Sequence, residues 1–200
     1  MTEIKLGIAG LGTVAQGVLE LIRRNNAIMQ QRSGVSLRVV RVASRRAKPE
    51  IDLHGAHFST NIEDLLTDPN VDMILELIGG DTTALDLTGR GLAANKPVVT
   101  ANKAILAVHG NELMAGRGRQ LLRFEAAVAG AIPIIQCLSG GLAANRLGGL
   151  FGIINGTCNY IFGEMEANGT AFDEVLAEAQ RLGYAEADPS FDIDGIDAAH

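Results

Sequence analysis

Apolar and polar positions follow two rhythms along this chain, and the changes between them mark out its elements. The run Leu6–Ala9 is short, apolar and bounded by glycine, as a buried strand would be. Val14, Val18, Leu19, Leu21 and Ile22 recur instead at helical spacing, so a strand and a helix are expected on either side of Gly10-Leu11-Gly12. Strand-like runs return at Leu37–Ala43, Met73–Ile78, Val98–Thr100 and Leu121–Glu125. Helices are expected at Asn61–Leu66, capped by Thr60 or Asn61, at Ala84–Ala94, and after Lys103, with Ile105, Leu106 and Val108 on its apolar side. Strands alternating with helices form a parallel sheet covered on both faces.

The alternation loses its regularity near Pro133. Beyond it, Leu147–Ile154 reads as a strand of a second domain, and Asn155-Gly-Thr-Cys-Asn-Tyr160 opens a helix running to Asn168-Gly169. Phe172–Leu182 is another helix, with Gly183 as its C-terminal cap. Both helices read as amphipathic, and Ile193–Ala199 as a further helix just begun. The expected domains are 1–132 and 133–200. Gly-Leu-Ala-Ala-Asn recurs at Gly91–Asn95 and Gly141–Asn145, but a solenoid needs roughly three or more units, so the recurrence is taken as coincidence.

Gly10, Gly12 and Ala15 satisfy the G-x-G-x-x-G/A pattern of Rossmann-type dinucleotide sites: a tight turn, close approach of backbone to a pyrophosphate, and close packing of helix on strand. Amide N–H groups and the positive end of the helix dipole select an anion there. The end of the next strand decides between coenzymes, because a carboxylate suits the ribose of NAD and an arginine suits the phosphate of NADP. Ser44, Arg45 and Arg46 stand at that place, so NADP(H) is the expected preference, with NAD(H) possible. The alternative is that Arg45, Arg46 and Lys48 form a solvated loop. Gly79 and Gly80 end the third strand-like run, where they could cover the coenzyme, and Glu76 is an unusual residue to find inside such a strand. Lys103 follows the next strand at the same edge, in reach of nicotinamide and a reacting carbonyl, with Asn102 to orient it. Glu125 and the small-residue loop Ala126–Pro133 could supply oxygen ligands to a hard cation. Close packing of small residues explains that loop equally well.

Composition narrows the partners. At 200 residues and 47% hydrophobic, the chain can bury a substantial core, and a net charge of -6 without a basic block argues against nucleic acid. A small molecule is the expected partner. The N-terminus enters a strand without a leader pattern and no apolar run approaches spanning length, so no membrane role and a cytoplasmic location are expected. Cys137 and Cys158 lack C-x-x-C spacing and read as reduced thiols. His54 and His57 read as surface histidines, because no further zinc ligands lie nearby. The tail gathers Glu186, Asp188, Asp192, Asp194 and Asp197. Pro189 and the missing final Glu argue against a calcium loop, and the acids suit an ammonium and a reacting oxygen instead.

Taken together, Gly10–Val14, Glu76-Leu-Ile-Gly-Gly80, Lys96-Pro-Val-Val-Thr-Ala-Asn-Lys103, Phe124-Glu-Ala-Ala-Val-Ala-Gly130, Asn155–Tyr160, Gly183-Tyr-Ala-Glu-Ala-Asp-Pro189 and Asp194–Ala199 resemble bacterial homoserine dehydrogenase. The resemblance implies a doubly wound parallel sheet followed by the start of an α+β substrate and dimerisation domain. It also implies NAD(P)-dependent interconversion of L-aspartate 4-semialdehyde and L-homoserine, on the way to threonine, methionine and isoleucine. By the same resemblance, Leu11, Gly12, Thr13, Val14 and Gly183 contact the coenzyme, beside the Gly10 and Gly79 already read from the glycine pattern and the strand end, and Lys103 contacts coenzyme and substrate. Glu186, Asp197 and Thr157 bind substrate, with Lys103 and Asp197 counted as catalytic. Glu125 and the backbone oxygens of Val128, Gly130 and Ile132 hold a sodium ion. The family's proton-donating lysine would come directly after His200, so a fragment of little activity is expected, and a homo-oligomer, dimer or tetramer. Rival readings are a non-catalytic NADP-binding module and another oxidoreductase of the same fold acting on a small carbonyl substrate.

Overall fold

A computed structural model describes residues 2–130 and 132–200; Met1, and Ala131 within the expected small-residue loop, lie outside the described residues. The chain divides into two compact units, Met1–Gly141 and Leu142–His200. In the first, β1 (Thr2–Ala9), α1 (Thr13–Ser33), β2 (Val35–Ala43), β3 (His57–Ser59), α2 (Glu63–Thr67), β4 (Met73–Glu76) and α3 (Thr82–Ala93) lead on to β5 (Val98–Thr100) and α4 (Lys103–Leu113). The short elements α5 (Gly118–Leu121), β6 (Leu122–Arg123) and α6 (Ile134–Gln136) follow. The second unit holds α7 (Gly156–Asn168), α8 (Phe172–Leu182), α9 (Ser190–Ile193) and α10 (Ile196–Ala199).

All strand pairings are parallel, in the order β3-β2-β1-β4-β5-β6. This is the order of the doubly wound dinucleotide-binding folds, in which the sheet reverses direction of growth beside its first strand. Two apolar clusters cover its faces. Ile8, Val42 and Leu75 pack with Leu11, Ala15 and Leu19 of the α1 region, while Ile74 and Val98 pack with Leu65, Leu87 and Ile105. Each fully buried side chain of this size contributes about 1.5–3 kcal/mol of transfer free energy. Register brings Ala43, Ala9, Glu76 and Thr100 into one row across the carboxyl edge.

The structure corrects the expected elements in four places. His57 begins an edge strand, β3, that the apolar pattern does not announce, and it stays exposed, as does His54. The strand expected to reach Ile78 stops at Glu76, because the Ile78 N–H turns aside to donate to the Glu76 carboxylate at 2.9 Å. The strand expected at Leu121–Glu125 shrinks to Leu122–Arg123: α5 claims Leu121, and Glu125–Ala127 coil into a single tight turn. Leu147–Ile154 forms no strand at all. A strand exists only by hydrogen bonding to a neighbour, and the described residues of the second unit contain no other strand for it to join. Its apolar side chains are instead solvent-exposed, Phe151 to 96%.

The second unit packs α7 against α8 through Ile161, Val175, Ala179 and Ala185. The α8 helix is one-sided as expected. The α7 helix is less so, since it buries Ile161 while leaving its neighbour Phe162 63% exposed. Gly169 and Gly183 close the two helices in the left-handed conformation, where glycine is favoured.

Ile8→Ala should lower the unfolding free energy by about 2–5 kcal/mol through lost burial and the cavity left behind. Ile28→Ala, on the exposed side of α1, should change it by only about 0.5 kcal/mol. Urea midpoints at constant slope separate the two outcomes.

Candidate functional site

The first unit carries a cleft at the carboxyl edge of the sheet, where the strand order reverses. Gly10, Leu11, Gly12, Ser44, Arg45, Arg46, Lys48, Leu77, Ile78 and Gly79 line a cavity of about 480 Å³. Of the residues expected at a coenzyme, Gly10, Leu11, Gly12, Arg45, Arg46 and Gly79 are brought together here, and Thr13 and Val14 open α1 beside them. Gly10 has φ +100°, and a Cβ there would meet the Leu77 carbonyl oxygen at 2.7 Å. Only glycine permits this turn. At Gly12 an added Cβ would meet nothing within 4 Å.

The start of α1 lacks a side-chain cap. Its cap position is Gly12, no side chain accepts its first N–H groups, and no acidic residue lies in its first turn. Those amides, the helix dipole, and the cationic side chains of Arg45, Arg46 and Lys48 together favour a polyanion. A dinucleotide fits this lining, because the open amides suit a pyrophosphate and the arginines suit a further phosphate.

Glu76 and the turn after β5 form the floor of the same edge. Glu76 is 0% exposed and lies beside Ala9 and Thr100. Burial pushes its carboxyl above the usual glutamate range, while hydrogen bonds from Thr100 and the Ile78 N–H pull the other way. The Thr100 hydroxyl donates to Glu76 and accepts the Asn102 N–H at 3.0 Å. Asn102 in turn caps α4, its Oδ1 accepting from the N–H groups of Ala104 and Ile105, while its Nδ2 donates to the carbonyls of Ile78 and Gly80. Lys103, half-buried, is thereby the first residue of α4. An ammonium is disfavoured at the positive end of a helix dipole, so its placement there adds nothing to the stability of α4. The sequence singled out Glu76 and Asn102 but not their linkage, because Thr100 becomes a neighbour of Glu76 only through strand register.

In the second unit, Thr157 is buried and its hydroxyl donates to the Tyr184 carbonyl at 2.7 Å, so it acts on the Gly183–Asp188 turn from within. Gln180 Nε2 donates to the Glu186 carbonyl in the same turn, leaving the Glu186 side chain exposed. Asp197 is half-buried and accepts from Asn155 Nδ2 at 2.8 Å, and the same nitrogen donates to Asp192. Asn155 Oδ1 meanwhile caps α7 at the Cys158 N–H. Asn155 therefore ties the start of α7 to two of the tail acids, a link that sequence reasoning did not single out; its place directly before a helix start was the available signal. Burial, with Asp192 and Asp197 nearby, pushes the Cys158 thiol up. Both cysteines are free.

The residues expected at a cation follow β6. Both Glu125 oxygens accept backbone N–H groups, from Ile135 and Gln136, and the Ile132 carbonyl accepts the Ile134 N–H. Gly130 and Ile132 are exposed. The Glu125 carboxylate thus caps the helical turn that begins at Ile134.

Sheet order, glycine turn and cationic rim define a class: a dinucleotide-binding fold of the doubly wound α/β type. Residues 10–120 match the family model described as homoserine dehydrogenase, NAD binding domain, and residues 133–200 match that of homoserine dehydrogenase. The chain belongs to the homoserine dehydrogenase family. It is 48% identical to the homoserine dehydrogenase of Pseudomonas aeruginosa, over 100% of this chain and 46% of that one. The crystal structure of the Thiobacillus denitrificans homoserine dehydrogenase superposes with a TM-score of 0.91 at 50% identity, covering 99% of this chain and 47% of that one. A hyperthermophilic archaeal homoserine dehydrogenase in complex with NADPH gives 0.78 at 26% identity, over 98% and 66% of the two chains. The chain thus spans just under half the length of the first two relatives.

Glu76 yields a stability prediction. The native state holds its proton to higher pH than the unfolded chain does, so stability falls as pH rises from the usual glutamate range through the raised value. Glu76→Gln has no such proton, and its unfolding free energy relative to the parent should climb with pH across that window in urea titrations. Gly10→Ala should lower affinity for a nicotinamide coenzyme by at least roughly tenfold, about 1.4 kcal/mol, as read by fluorescence titration.

Proposed function

We propose that this chain is the coenzyme-binding part, with the beginning of the substrate-binding part, of a homoserine dehydrogenase that interconverts L-aspartate 4-semialdehyde and L-homoserine, using NADP(H) in preference to NAD(H). The observation that carries the reading is the cavity in which the α1 amides and Gly10–Gly12 face Arg45 and Arg46. The nicotinamide coenzyme supplies the hydride when bound. Gly10, Leu11, Gly12, Thr13 and Val14 hold its pyrophosphate, Gly79 borders it, and Arg45 and Arg46 hold the 2′-phosphate that distinguishes NADP. Lys103 places its ammonium toward the nicotinamide and the reacting oxygen. Glu186 offers its exposed carboxylate to the substrate ammonium, Asp197 orients the reacting oxygen, and Gly183 and Thr157 shape the turn that presents Glu186.

Binding energy spent on the ammonium acts on ground state and transition state alike, so removing Glu186 affects KM first. A cytoplasmic location and a homo-oligomer, dimer or tetramer, belong to the same proposal. No helix among the described residues is long and apolar enough to cross a membrane.

The deciding experiment titrates the natural full-length protein with NADPH and NADH, followed by coenzyme fluorescence. NADPH should bind more tightly. Replacing Arg45 and Arg46 by Ala should weaken NADPH by roughly ten- to a hundredfold, as expected for charge-assisted bonds to a phosphate, and leave NADH nearly unchanged. Tighter binding of NADH by the parent would overturn the preference, and failure to bind either coenzyme would overturn the dehydrogenase reading. In steady-state assays of the same protein, Glu186→Ala should raise the homoserine KM with little change in kcat.

A further inference from the structure

Among the described residues, Glu76 is the only acidic side chain that the fold takes fully out of water. Burying a carboxylate is unfavourable by several kcal/mol unless its oxygens are satisfied, and an apolar residue would serve the strand better. What Glu76 does instead is join two backbone segments that line the coenzyme edge. One oxygen accepts the Ile78 N–H and fixes the exit of β4 into Leu77–Gly80, which forms part of the cavity wall. The other accepts the hydroxyl of Thr100, the buried last residue of β5. Thr100 holds the Asn102 N–H, and Asn102 returns to the first segment through the Ile78 and Gly80 carbonyls while capping the helix that begins with Lys103. The bonds therefore close on themselves: Glu76 to Ile78, and Glu76 through Thr100 and Asn102 back to Ile78 and Gly80.

A closed circuit of this kind has fewer ways to relax than its separate bonds would. Loops at a sheet edge are ordinarily the mobile part of such a fold, and ordering them at the moment of binding subtracts from affinity. Here the glycine segment and the start of α4 are fixed relative to each other before any ligand arrives. Neither Glu76 nor Thr100 reaches the cleft surface, since both are 0% exposed, so they act through others.

We propose that Glu76, through Thr100 and Asn102, is a positioning residue for the nicotinamide coenzyme, holding the Leu77–Gly80 segment and the Lys103-bearing end of α4 in the geometry that binds it. This rests on the coenzyme reading given above.

The test uses the natural full-length protein with Thr100→Val, which keeps shape and loses the hydroxyl, Thr100→Ser, which keeps the hydroxyl, and Glu76→Gln. NADPH affinity is read by fluorescence titration and unliganded stability by thermal unfolding. Thr100→Val and Glu76→Gln should each weaken NADPH roughly tenfold, about 1.4 kcal/mol. Thr100→Ser should restore affinity to about twofold of the parent, and the Glu76→Gln/Thr100→Val double variant should be weaker than either single by much less than the sum, because both cut one circuit. Parent-like NADPH affinity in Thr100→Val overturns the proposal, even where its melting temperature falls, and so does equal damage in Thr100→Ser and Thr100→Val. Should Glu76→Gln fail to fold, the Thr100 pair decides. A parent that binds no NADPH refutes the coenzyme reading instead, a result visible before any variant is made.

Discussion

Every helix begins with backbone N–H groups that have no acceptor within the helix, and the fold treats those of α1 differently from those of α4 and α7. Asn102 and Asn155 supply side-chain acceptors to the latter two, whereas α1 begins at a bare glycine with neither a cap nor an acidic first turn. An uncapped helix start inside a cleft is an electrostatic deficit that an external anion can satisfy. The left-handed Gly10, the Leu77 carbonyl pressed against it and the arginines after β2 are arranged around that deficit. Strand order puts it at the reversal point of the sheet, where no crossover helix covers the edge.

The same edge shows how polar groups can stiffen a surface that must stay open. Apolar packing secures both faces of the sheet but cannot reach the loops that leave its carboxyl end, because those loops have to remain accessible to a ligand. Hydrogen bonds do that work from below, through a carboxylate, a hydroxyl and an amide in series. The second unit repeats the device on a smaller scale. Asn155 holds Asp192 and Asp197 while capping a helix, and Thr157 holds the turn that carries Glu186.

The first unit was legible from sequence because its signals are local. A glycine pattern and a change of apolar period, each read over a dozen residues or so, suffice to place β1, α1 and their turn. The edge strand β3 escaped because His57, Phe58 and Ser59 carry no alternation worth the name, and the strand expected at Leu121–Glu125 came out shorter because α5 takes Leu121 and a tight turn takes Glu125. Leu147–Ile154 failed in the opposite direction. Apolarity announces that a segment is to be covered, but it does not say by what, and a strand is a relation between two segments. The glycine turn could be named in advance because it sits on one short stretch, while the Glu76–Thr100 contact spans 24 positions and exists only once β4 and β5 are in register.

That uncovered stretch has a practical consequence. Leu147, Leu150, Phe151, Ile153 and Ile154 present a ribbon of oily side chains to water with its peptide groups unladdered, at 55%, 74%, 96%, 72% and 77% exposure. Contiguous exposed apolar surface of this kind drives self-association and recruits chaperones. A polypeptide of these 200 residues made on its own therefore carries a sticky surface that favours self-association as its concentration rises.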